Sequence, residues 1–182
     1  MANLDIDALY EKVLNELKMG KRPLLNLSID ELIELAMAWE ELIEKKETEK
    51  LLPILCILDH TKSSHADLHA PLIKTLQESN HNDILVFTLS ASLKVVIEEC
   101  ERQGKRIPFD FIKSLETPLN SNHPEVLEWS LRVVDALGHQ SIILKELILQ
   151  KKPGILSVFN QHKKNSRQII EYLEKRWQGK AI

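Results

Sequence analysis

The chain has 182 residues, of which 43% are hydrophobic and 28% charged, enough apolar material for a buried core and too much for a disordered chain. Only five glycines and 5% aromatic residues stand against many Leu, Ile, Glu and Lys, which argues against a strand-rich fold and for an all-α one. The net charge of −3 is uneven: residues 1–140 hold 15 basic and 24 acidic side chains, a balance of −9, while residues 141–182 hold 9 and 3, a balance of +6.

The first residues carry acids where a secretory leader would be basic and then apolar, so no signal is expected there. Residues 5–18 place Ile6, Leu9, Val13, Leu14 and Leu17 on one stripe and predict a first helix, closed by the turn-like stretch 20–23. Ser28 and Glu31 form a Ser-x-x-Glu capping signature ahead of Ile29, Leu32, Leu35, Ala36 and Trp39, so the second helix should start there and run to about Lys46. A third is expected over 51–58. Further helices are expected over 64–78, with Ser64 as cap, and over 82–102, 108–119, 124–137, 142–150, 154–161 and 166–177; no strand is required. Within 82–102 the polar residues Thr88, Ser90, Ser92 and Lys94 alternate with a strand period, but the flanks continue helically.

The stretch SNHNDILVFTL at 79–89 returns as SNHPEVLEWSL at 121–131, with His81 and His123 standing 42 residues apart. The same shift aligns Ile84 with Val126, Leu85 with Leu127, Phe87 with Trp129, Thr88 with Ser130 and Leu89 with Leu131. A proline-bearing segment precedes each copy, HAPLIKTLQ around Pro71 and FIKSLETPL around Pro118. That period suits a repeated helix pair. Asn80, Asn82 and Asn122 are the helix-cap candidates, with Pro124 in the first turn, where its missing N–H costs nothing.

Residues 70–93 and 112–138 resemble the HEAT-repeat family, in which a proline-kinked first helix, a short turn and a second helix opening on an apolar residue make one unit. The resemblance implies a right-handed stack of antiparallel helix pairs, an α-solenoid of HEAT/armadillo type. Residues 1–62 would form a less regular N-terminal part, 63–138 two repeats, and 139–182 basic C-terminal helices. The turn aspartate and the following arginine of the family are absent here, so its arginine–aspartate ladder is not implied.

Successive repeats hold equivalent residues roughly 10 Å apart, too far for a shared ion with bonds of about 2 Å. His81 and His123 therefore read as punctuation between helices. Cys56, His60, His65 and His69 are the strongest metal candidate, since His65 and His69 share a helix face, but Ala66 stands where a metalloprotease needs its glutamate. They read as polar residues at a helix start, and Cys56 and Cys100 as buried thiols in a reducing, cytoplasmic setting. No phosphate loop or nucleophile elbow occurs. HEAT-like hydroxylases use His-Glu pairs, and none of the histidines is followed by Glu. The expectation is a non-catalytic protein with no cofactor and no metal.

Two surfaces are candidates for partners. In the helix after Pro124, Glu125, Glu128, Arg132 and Asp135 should point outward, whereas the equivalents of Glu128 and Asp135 in the sister helix are Val86 and Leu93, with Ile97 beside them. Val86, Leu93 and Ile97 form an apolar stripe that must be covered by another protein, by a second copy or by the chain itself. Lys151, Lys152, Lys163, Lys164 and Arg167 form a basic patch for an anion or an acidic partner. The expected role is protein–protein scaffolding without membrane insertion, with a nucleic-acid-binding helical repeat on the basic C-terminal third as the second reading.

Overall fold

The computed structural model describes residues 4–154 and 159–179, and they are helical throughout apart from turns and one isolated parallel bridge between Leu25 and Thr61. Helix α1 (Ile6–Lys18) is capped by Asp5, whose carboxylate accepts from the Ala8 N–H at 2.9 Å. Helix α2 (Ile29–Glu44) opens on the expected capping box: Ser28 Oγ accepts from Glu31 N–H at 3.3 Å and Glu31 Oε2 accepts from Ser28 N–H at 2.7 Å. Helix α3 (Leu52–Asp59) has proline in its first turn, where no N–H is needed.

Helix α4 (His69–Glu78) begins later than the sequence pattern suggests, after a 3-10 turn over Ala66–Leu68. Ser64 does not cap it, because its hydroxyl donates instead to Glu99 Oε2 at 2.7 Å. His65 takes the capping place and accepts from Asp67 N–H through Nδ1. Helix α5 (Asn82–Ser92) passes through a π-helical segment, Leu93–Glu98, into α6 (Glu99–Arg102). The alternation that mimics a strand is thereby explained: Thr88 and Ser92 are buried and donate to the Ile84 and Leu89 carbonyls of their own helix, while Lys94 reaches away to α3.

The segment expected as one helix over 108–119 is two pieces, α7 (Phe109–Ser114) and α8 (Glu116–Leu119). Pro118 has no N–H to offer the Ser114 carbonyl four residues back, and the ladder breaks at Leu115. Helix α9 (Pro124–Ala136) gives way at Gly138, whose φ of 58° suits a left-handed stop, to a 3-10 run over Gly138–Leu144 and then to α10 (Lys145–Gln150). Most of the helix expected over 154–161 lies outside the described residues. Helix α11 (Gln161–Trp177) starts five residues before the expected 166, because Asn160 Oδ1 accepts from Lys163 N–H at 3.0 Å and caps it there.

The two copies of Ser-Asn-His adopt the same turn. Ser79 and Ser121 hydroxyls accept from the His81 and His123 N–H groups at 3.3 and 3.1 Å, and those histidines are the residues before α5 and α9. Asn80, Asn82 and Asn122 are not the caps, since the serine hydroxyls already order the turn and the histidines take the cap position without side-chain bonding. One turn further on, Thr88 Oγ1 donates to Ile84 O and Ser130 Oγ to Val126 O, each at 2.7 Å. The sequence repeat is thus a repeat of hydrogen bonding.

Helices alternate between two rows. In one, α1 packs on α3, α3 on α5, α5 on α9 and α9 on α11; in the other, α2 packs on α4, α4 on α7 and α8, and α8 on α10. The rows meet where α4 packs on α5 and α8 on α9. Their interface is the apolar core, including Leu35, Leu58, Leu72, Leu89, Phe111 and Leu131, all at or near zero exposure. Trp39, fully buried in α2, donates its indole N–H to Thr75 Oγ1 of α4 at 2.8 Å, so its polar atom is satisfied while the ring fills the core. No helix among the described residues is long and apolar enough to cross a membrane.

Candidate interaction surface

The apolar stripe is packed. Ile97 is 3% exposed, and Val86 and Leu93 are partly buried against the core. Val86 and Leu93 occupy the repeat positions of Glu128 and Asp135, the residues through which α9 bonds to α11, and α5 likewise has a following helix in its row, α9. An apolar outer side is what an interior row position requires. The burial of Ile97 corrects it as an open partner contact, while Val86 and Leu93 keep part of their surface exposed.

The corresponding junction of α9 with α11 is polar. Glu128, expected outward, is 3% exposed because α11 lies over it. Its Oε1 accepts from Arg132 Nε at 3.0 Å and Asn165 Nδ2 at 2.9 Å, and its Oε2 lies 2.7 Å from His162 Nδ1. Burial alone would raise the Glu128 pKa, but the hydrogen bonds from Arg132, Asn165 and His162 outweigh it and hold the carboxylate below its ordinary value. Further along, Arg176 donates to Asp135 Oδ1 at 2.6 Å and to the Asp135 carbonyl at 2.9 Å.

The first row leaves aromatic rings at least partly open, two of them carrying an arginine. Phe87 of α5 is 39% exposed, and its repeat equivalent Trp129 of α9 is partly exposed with the Arg132 guanidinium 5.4 Å above its ring. On α11, Tyr172 is exposed and carries Arg176 at 4.9 Å. These cation–π contacts, together with the Glu128 and Asp135 carboxylates, place the guanidinium groups over the rings. The sequence pattern contains this pairing, since the 42-residue shift sets Phe87 on Trp129, but the ring positions become a surface only once α11 covers the other side of α9.

The basic residues divide. Lys152 lies 2.7 Å from Glu174, and Arg167 lies 2.9 Å from Glu171, so both are spent on carboxylates of α11. Lys163 and Lys164 are exposed in the first turns of α11, and neither they nor Lys151 make an ion pair among the described residues.

The histidines of the metal candidate are used locally. His69 Nε2 lies 2.8 Å from the Val95 carbonyl in the π-helical segment, and His65 caps its turn. Both cysteines are free, and burial raises their thiol pKa values. A second polar feature was not anticipated from the sequence. The Lys94 ammonium donates to the Leu58 carbonyl and, at 2.6 Å, to the Thr61 carbonyl at the C-terminal end of α3, beside a cleft lined by Arg22, His60 and Lys62. Desolvation lowers its pKa, with Asp59 and Glu98 opposing the shift.

Compared with family models, curated proteins and solved structures, the chain gives no significant match.

Proposed function

We propose that this chain is a non-catalytic protein-interaction module of HEAT/armadillo type, a right-handed stack of helix pairs that docks another protein on the exposed side of its first row. The alternation of rows and the shared hydrogen bonding of the two 42-residue units support the stack. The observation that carries the binding role is the set of exposed or half-exposed residues Phe87, Trp129, Arg132 and Tyr172, residue types that dominate the energetics of protein interfaces. In HEAT-like stacks the second helices, here α5 and α9, line the concave side. The two free thiols support a reducing, cytoplasmic setting.

The test is a triple variant, Phe87→Ser, Trp129→Ser, Tyr172→Ser, beside wild type, with a photo-crosslinking residue placed at 87 or 129 in the wild-type bait. A protein crosslinked at those positions, and lost from the variant at unchanged circular dichroism, supports the module. Equal capture by both baits rejects this face.

The second reading, a nucleic-acid-binding repeat, rests on Lys163 and Lys164, two exposed basic residues in the first turns of α11 that make no ion pair among the described residues. It requires binding that weakens steeply with salt and with the loss of both lysines. Salt-insensitive binding belongs to the aromatic face.

A further inference from the structure

We propose that the cleft at the C-terminal end of α3 binds a small phosphate monoester through Arg22, Lys62 and Lys94. The cleft has a volume of about 500 Å³, within the range of small-molecule sites. Three cations and one carboxylate, Asp59, line it, a local balance of +2 inside a part of the chain whose total is −9. Like charges gathered in this way repel one another unless an anion joins them. A phosphate monoester carries about −1.5 to −2 near neutral pH and matches the surplus.

The cations are available for such a ligand. Arg22 and Lys62 are exposed, and among the described residues neither side chain has a hydrogen bond or an ion pair. Among the described residues the Asp59 carboxylate is within 4.0 Å of the His60 ring and makes no ion pair with Arg22 or Lys62. Lys94 spends two of its three N–H donors on the Leu58 and Thr61 carbonyls, which leaves one donor beside the cleft. Capping α3 accounts for Lys94 alone; it gives no reason for Arg22 and Lys62 to converge on the same place.

The frame under these residues is fixed. Leu25 N–H donates to His60 O at 2.8 Å, Lys62 N–H to Leu25 O at 3.4 Å, and Thr61 Oγ1 to Ile57 O at 2.6 Å. Residues 22–25 and 59–62 are therefore held side by side, with Lys94 reaching in from the π-helical segment of the next helix in the row. Such preorganisation reduces the ordering cost of binding. The arginine fork supplies the paired donors that phosphate oxygens accept, and the two ammonium groups supply charge.

The experiment is an amide NMR titration of the full chain with inorganic phosphate, and separately with glycerol phosphate, at ionic strength held constant with sodium chloride. The expected result is saturable shifts at Arg22, Thr61, Lys62 and Lys94 with both probes. An Arg22→Gln, Lys62→Gln variant, which leaves Lys94 and the cap of α3 intact, should bind about tenfold more weakly at an unchanged melting temperature. Shifts that never saturate, shifts centred on Lys163 and Lys164, or equal affinity of the variant would each overturn the assignment.

Discussion

His162 sets its Nδ1 2.7 Å from Glu128 Oε2, and this contact, with Asn165 on the other oxygen, ties α11 to α9, while Arg132 braces the carboxylate from within α9. Removing the carboxylate takes the shared acceptor from Asn165, Arg132 and His162, although Arg132 and His162 keep access to water. Glu128→Ala should cost about 1–2 kcal/mol in urea denaturation. The pH dependence follows from the depressed pKa of Glu128. A folded pKa below the unfolded value means that the stabilisation is fully present above the unfolded value, which is 4.5, and is lost as pH falls through the folded one. Wild type should therefore lose more stability than Glu128→Gln on acidification below that value, and the two melting curves should converge.

The junction one step back in the row carries Val86 and Leu93 where α9 has Glu128 and Asp135. Val86→Asp and Leu93→Asp place carboxylates against apolar neighbours with no donors prepared for them. Each should lower the melting temperature, by more than about 2 kcal/mol in stability, and Ile97→Asp should cost most because that side chain is 3% exposed. Phe87→Asp, one residue from Val86 but on the open side, should leave the melting temperature nearly unchanged. Equal, small effects at all four positions would mean that the stripe is free.

The difference between these two junctions shows what could be read from the chain and what could not. Helix positions, the Ser28 capping box and the 42-residue repeat depend on local spacing, and local spacing is written in the sequence. Whether an outward position is open depends on the next helix of the row, which is information from another part of the chain. Thus Glu128 reads as a solvated acid and is buried, while Val86 reads as a surplus apolar residue and is used. The asparagine caps failed for a related reason, because Ser79 and Ser121 compete for the same turn and win. Lys94 was visible only as a break in hydrophobic pattern; its target carbonyls lie 33 or more residues away.

Trp39 and Thr75 join α2 to α4 through a buried hydrogen bond of 2.8 Å. Thr75→Val keeps the shape of the side chain and removes the acceptor, which leaves the indole N–H unsatisfied in the core. The expected loss is about 1–3 kcal/mol. Trp39→Phe removes the donor along with part of the ring, and Thr75 still donates to the Pro71 carbonyl at 2.8 Å, so the hydroxyl is not orphaned. A double-mutant cycle read by urea denaturation should give a coupling of about 0.5–3 kcal/mol. Additive losses would mean that the bond contributes nothing beyond packing.

Lys94 supplies a test at the alkaline end. Its pKa is lowered by desolvation, against the opposing pull of Asp59 and Glu98. For a base with a folded pKa below the unfolded one, the unfolded chain binds more protons between the two values, so stability rises with pH across that interval and levels off above 10.5, the unfolded value. Lys94→Met removes this rise and also leaves the Leu58 and Thr61 carbonyls without their donor. The variant should be less stable than wild type near neutral pH, and the gap should widen as pH approaches 10.5. Chemical denaturation of both proteins across that range measures it, and a gap that stays constant with pH would show that the ammonium titrates in the folded protein as it does in the unfolded chain.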